Sequence, residues 1–241
     1  MTIVVLIVGA MFTSFGLNLF ALNTPQVVLP SAGAGIGDSS APSVPGQNYQ
    51  RVEVTPQTVT GVVATLARPA SYYRELTVET FWEGGSSSSQ VQVWQDGGWS
   101  HSRQALPSGV IRHDLTDGET LYYWYEGSQQ YRTAPADNRS SDLAQHIPTY
   151  ETVLELDPDD ILSAGYESRG DLPCVLVEVL QGRTVQRFWI SVDNGLLVSA
   201  EAEENGQVFY RMTAYSSVQS PCPSDASFAL PNGDVLHTAG E

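Results

Sequence analysis

The chain contains no lysine. Its 11 basic residues are all arginine, set against 27 acidic ones over 241 residues, for a formal net charge of -16. A surface so poor in positive charge repels phosphate backbones and anionic headgroups, which sets nucleic-acid binding aside. Cysteine is nearly as scarce, with two residues, Cys174 and Cys222, no Cys-x-x-Cys spacing and no histidine close by in sequence. Signatures of catalysis are missing too: no Gly-x-Ser-x-Gly elbow, no glycine loop to cradle phosphate, no His-Glu-x-x-His. Carboxylates are plentiful, yet no acid/base constellation stands out, and the expectation is a non-enzymatic protein without a cofactor. Strands and helices do not alternate as βαβ units, which excludes a parallel sheet.

Long apolar runs are absent apart from one. Ile3 to Leu22 is almost wholly apolar, and the first charged residue is Asp38. About 20 helical residues at ~1.5 Å each span a hydrocarbon core, so residues 1–22 are expected to anchor the chain in a membrane. A signal segment cleaved near Ala21 and Asn23 is the alternative, giving a secreted protein. Residues 23–50 are rich in proline, glycine and serine and read as a flexible linker. Two cysteines in a secreted or anchored domain most simply pair. A Cys174–Cys222 bridge is therefore expected, worth ~4 kcal/mol on the chain-entropy model, and it favours an extracytoplasmic location.

The remaining span, 51–241, carries the fold. Thr55-Pro56 starts a short helix whose Val59, Val62, Val63 and Leu66 make one apolar stripe, and Arg68-Pro69 ends it. Hairpins follow, each marked by glycine. A first turn at Gly84-Gly85 pairs Leu76 with Val93 and Val78 with Val91, leaving Glu79 opposite Gln90 and Thr77 opposite Gln92. Ala134 to Asp142 is a polar loop holding an Asn138-Arg139-Ser140 sequon. Ile147 to Leu156 reads as a second helix, with Thr149 as N-cap and Asp157-Pro158 as its end. Asn194-Gly195 and Asn205-Gly206 are strong hairpin signals in the second half. The expected fold is mostly β (α+β): one curved antiparallel meander sheet of about ten strands, a half-barrel with an N-terminal helix and a mid-chain helical lid.

Several features taken as a set resemble the lipoprotein-carrier superfamily, the LolA/LolB-like half-barrels, which include the large domain of RseB-type envelope-stress sensors. They are the leading helix, Val91-Gln92-Val93-Trp94, the strand Trp99 to Arg103, and Asp117-Gly118-Glu119 before Leu121-Tyr122-Tyr123-Trp124-Tyr125. The mid-chain helix and Gly195-Leu196-Leu197-Val198 complete the set, over roughly residues 52–216. The resemblance implies a half-barrel whose concave face shelters acyl chains under helical lids. It implies a membrane-tethered carrier or chaperone for a lipid or acylated lipoprotein. An envelope-stress sensor that binds a membrane regulatory protein is the alternative. Leu76, Val78, Trp82, Val91, Val93, Tyr122 and Trp124 are the candidate ligand-binding residues.

Two further groups contain residues of metal-ligand type. His101 and His113 would face each other across a hairpin centred on Pro107, but no third ligand accompanies them. Asp157, Asp159 and Asp160 lack the spacing of a calcium loop and fit a helix end better. No metal is expected.

Overall fold

The computed structural model describes residues 53–136, 147–224 and 227–240. The chain divides into two units, residues 1–52 and Glu53–Glu241, and the second is the unit described. The apolar run, the linker, the Asn138 sequon and most of the polar loop lie outside the described residues.

The apolar stripe forms helix α1 (Val59–Thr65), with Val59, Val62 and Val63 buried. Six strands follow in meander order: β1 (Ser71–Trp82), β2 (Gly85–Asp96), β3 (Trp99–Ala105), β4 (Ile111–Thr116), β5 (Thr120–Tyr125) and β6 (Arg132–Pro135). Helix α2 (Tyr150–Leu154) is shorter than its sequence span, and Thr149 N–H donates to Thr152 Oγ1 at 3.2 Å to close its first turn. A 3₁₀ turn at Pro158–Asp160 uses the Asp157 carboxylate to accept from Asp159 N–H, the capping role expected of these aspartates. A second meander then runs through β7 (Ile161–Arg169), β8 (Leu172–Gln181), β9 (Thr184–Ser191), β10 (Leu197–Glu204) and β11 (Gln207–Thr213).

The two meanders join through β1 and β11 into one 11-stranded sheet, ordered β6-β5-β4-β3-β2-β1-β11-β10-β9-β8-β7, with antiparallel neighbours throughout. Its ends do not close on each other, so this is the open, curved antiparallel sheet expected from the hairpin ladder. A separate hairpin, β12 (Ser227–Ala229) and β13 (Val235–Thr238), follows near the C-terminus.

Period-two alternation makes one face of the second meander apolar and the other charged. Val78, Met212, Ala200, Phe188 and Val177 are successive cross-strand partners on β1, β11, β10, β9 and β8, and all five are buried. The neighbouring row on the opposite face reads Glu79, Arg211, Glu201, Arg187, Glu178 along the same strands. Acid and base alternate there. Arg187 reaches Glu178 at 2.6 Å and Glu203 at 2.7 Å, Arg211 reaches Glu201 at 3.0 Å, and Arg169 also bonds Glu201.

The apolar row is covered by the helices. Beside it, Val175 and Ile190 pair on β8 and β9, and Val153 of α2 is fully buried. Arg68 fastens this cover. Its guanidinium donates to the carbonyls of Leu66, Val63 and Gly195 and lies 3.8 Å over the Tyr150 ring. Gly195 has φ +65°, and a Cβ there would lie 2.7 Å from Arg68 Cγ, so the turn admits only glycine.

Three expectations need correction. The first hairpin turns on Glu83-Gly84, pairing Leu76 with Val91, Val78 with Ser89 and Arg74 with Val93. The shift of two residues keeps every side chain on its face. It arises because Gly85 is a strand residue lying under the Trp82 ring, where an added Cβ would meet indole atoms at 2.8–2.9 Å. In the hairpin around Pro107, His113 pairs with Arg103 and His101 with Leu115. Finally, Cys174 and Cys222 are separate buried thiols with no bond between them. Cys174 lies on β8, whereas Cys222 is held at β1 by its N–H to Ser71 Oγ at 3.0 Å. Four strand spacings, roughly 19 Å along the sheet, separate those strands, and a bridge needs Cα atoms within about 7 Å. Burial pushes the Cys174 thiol up to about 11, which suits a packing residue.

Because Phe188 sits mid-row between buried partners, Phe188→Ala should cost about 3–5 kcal/mol in urea unfolding. Phe209, 40% exposed on β11, should cost under 1 kcal/mol when truncated, by the same measurement.

Candidate functional site

On the first meander the two faces have different fates. The face continuous with the helix-covered row bears Tyr72, Arg74, Leu76 and Val78 on β1, opposite Gln95, Val93, Val91 and Ser89 on β2. Leu76 and Val91 are buried at 2% and 1% exposure, inside the core rather than free for a ligand. Towards the other end of these strands the packing opens into a cavity of about 450 Å³.

Two cross-strand rows build its floor. One runs Arg74, Val93, Ser102, Asp114 from β1 to β4, and the other Tyr72, Gln95, Ser100, Thr116. Ile147, Thr149, Tyr150 and Glu151 from the α2 region line it, as do Arg68, Pro69 and Ala70 after α1. Small hydroxyls and charges outnumber large apolar groups. Arg112 grips Asp114 through Nε at 3.0 Å and Nη2 at 2.8 Å and lies 4.8 Å from the Tyr123 ring centre. Burial pushes the Tyr150 phenol up to about 12, helped by its bond to Glu151. Arg74 is 4% exposed and donates through Nη1 to Leu197 O at 2.7 Å.

The opposite face of β2 to β5 is closed by the C-terminal hairpin. Leu115 and Trp124 pack with Phe228, Leu230 and Ala239, and Trp94, Trp99, Tyr122 and Leu236 flank them. A row of stacked rings runs Trp94, His101, His113, Trp124, with centroids 5.3, 5.4 and 4.9 Å apart. The two imidazoles share a hydrogen bond of 3.1 Å, reached diagonally across the register. Burial lowers the His113 pKa, as expected for an imidazole stacked between the His101 and Trp124 rings. Among the described residues no three histidine, cysteine or acidic side chains gather into a metal site.

The seven residues singled out from the sequence are therefore not one site. Val93 lines the cavity, while Leu76, Val78 and Val91 lie in the core beside it. Tyr122 and Trp124 lie on the hairpin side, and Trp82 stands 58% exposed at a hairpin tip. Sequence reasoning missed Arg74, Ser100, Ser102 and Arg112, although all alternate in phase with Val93. It assigned no strands to residues 217–241 either, and so missed the hairpin.

No family model matches the chain, and no curated protein matches it. Among solved structures it is similar to a LolA superfamily protein from Nitrosomonas europaea, at 14% identity and TM-score 0.36, over 69% of this chain and 93% of that one. It is also similar to MucB, crystallised in complex with MucA(peri), at 16% identity and TM-score 0.38, over 75% of this chain and 61% of that one. A third likeness is to a putative outer membrane lipoprotein-sorting protein domain from Vibrio parahaemolyticus, at 8% identity and TM-score 0.33, over 68% and 90%. Overlaps this loose do not align side chains, and the chemistry of the cavity rests on its own residues.

The covering hairpin is pinned by Asp96, whose carboxylate accepts from His237 Nε2 at 2.8 Å and from Gly240 N–H at 3.3 Å. The Ser71 hydroxyl, then His237, holds the Asp96 carboxyl below the usual carboxylate range. With the folded pKa below the unfolded one, the hold is complete above about pH 4 and fades as pH falls through the folded value. Asp96→Asn should accordingly raise amide exchange across residues 227–239 at neutral pH. It should also flatten the acid dependence of that exchange, read by deuterium uptake in the two proteins.

Proposed function

We propose that this chain is a non-enzymatic, extracytoplasmic binding protein, tethered by its N-terminal apolar segment, that holds a lipid or acylated protein in the cavity under α2. The observation that carries this is the hollow itself. The helices fill the second meander's face and leave about 450 Å³ open over the first. That volume lies within the range of small-ligand sites, roughly 300–1,000 Å³. Its lining combines apolar side chains, Val93, Leu121, Ile147 and Leu196, with polar groups able to fix orientation. An amphiphile matches such a lining better than a bare hydrocarbon does. The apolar run Ile3 to Leu22 supports tethering.

A second reading, an envelope-stress or other regulatory module, is favoured by the sheet edge. Strand β7 ends the sheet and exposes Leu162 and Tyr166, at 52% and 38%, beside a backbone edge that a partner strand could extend. Loss of partner capture from solubilised membranes on Leu162→Asp would support it.

The carrier reading is tested by displacement of a fluorescent fatty acid from the purified protein. Val93→Trp places a large ring on the cavity floor and should weaken binding at least about tenfold, whereas Trp82→Ala should leave it unchanged. Equal effects from both, or none from Val93→Trp, would contradict it.

A further inference from the structure

We propose that the cavity receives the anionic group of its ligand, a phosphate or carboxylate, on the Arg74 guanidinium. This rests on the cavity being the binding site.

Three guanidinium groups line the cavity, and two are already engaged. Arg112 is forked onto Asp114, and Arg68 is spread over three backbone carbonyls and the Tyr150 ring. Arg74 is different. Among the described residues only Nη1 has an acceptor, the Leu197 carbonyl; the guanidinium lies 5.9 Å from the Tyr72 ring centre, and Nε is buried with no hydrogen-bond partner. None of the ion pairs among the described residues includes it. A charge at 4% exposure without a counter-ion is costly, and a buried donor left unmade adds to the cost. The fold does not require an arginine there, since the next positions on the same face, Leu76 and Val78, are apolar. A bound anion supplies the missing counter-charge and receives charge-assisted bonds from a group suited to two oxygens. Ser102, two strands away in the same row, adds a hydroxyl, and Ser100 another. Glu151, exposed on α2, is the acidic group whose field reaches Arg74, and it competes with a ligand anion rather than pairing.

The test uses the full chain and three probes: dodecyl phosphate, monolaurin with a neutral headgroup, and inorganic phosphate. Calorimetry should show dodecyl phosphate binding at least about tenfold tighter than monolaurin, the worth of one charge-assisted contact. Arg74→Gln should bring dodecyl phosphate affinity down to that of monolaurin in the same variant. Glu151→Gln, an exposed change that leaves the core intact, should tighten dodecyl phosphate several-fold. Competition by inorganic phosphate identifies a free anion as sufficient. Its failure, with dodecyl phosphate still bound, identifies a lipid headgroup. Equal affinity for the charged and neutral amphiphiles, unchanged in Glu151→Gln, would overturn the anion subsite while upholding amphiphile binding. No binding of either amphiphile would overturn both.

Discussion

The structure depends on one row of contacts, Val78, Met212, Ala200, Phe188 and Val177, that runs unbroken from β1 to β8. Burying it requires a cover, and neither helix is long enough to be stable alone. Sheet and helices therefore fold as a unit, with Arg68 clasping α1, α2 and the Gly195 turn together. The same strands turn an alternating acid and base row outward. Side chains of Glu201 and Arg211 are 11% and 37% exposed, so the row screens the sheet from water without forming a second core.

The cover is shorter than the sheet, and the cavity follows from that mismatch. Where the apolar row ends, beyond Leu76 and Val91, the same face continues as Arg74, Ser102 and Asp114. Polar groups there do not draw a helix down onto the sheet. Meanwhile the reverse face of those strands is covered by the C-terminal hairpin on Leu115 and Trp124, which backs the floor with packed side chains. A backed floor with a partial roof is a suitable frame for a ligand.

Much of the fold was legible in the sequence because hairpins are local. Glycine turns, alternation and the valine stripe each act within a dozen residues, and a register slip of two in the first hairpin left the faces intact. The acid and base row was written as Val78-Glu79, Arg211-Met212, Ala200-Glu201, Arg187-Phe188 and Val177-Glu178, but only the pairing of distant strands aligns it. The site was less legible for the same reason. Tyr122 and Trp124 looked like a ligand wall, and what covers their face is a hairpin about a hundred residues later. Nothing near Arg74 in the sequence signals its burial, and the carbonyl it meets, that of Leu197, is 123 residues away.

The central claim is that ligand enters the open half of the helix-covered face and neither the core half nor the hairpin side. Photocrosslinking with a diazirine-bearing fatty acid, mapped by peptide mass spectrometry, tests it directly. Labels on residues 93–102 and 147–151 are the predicted result. Labels confined to 122–131 or 175–190 would contradict it.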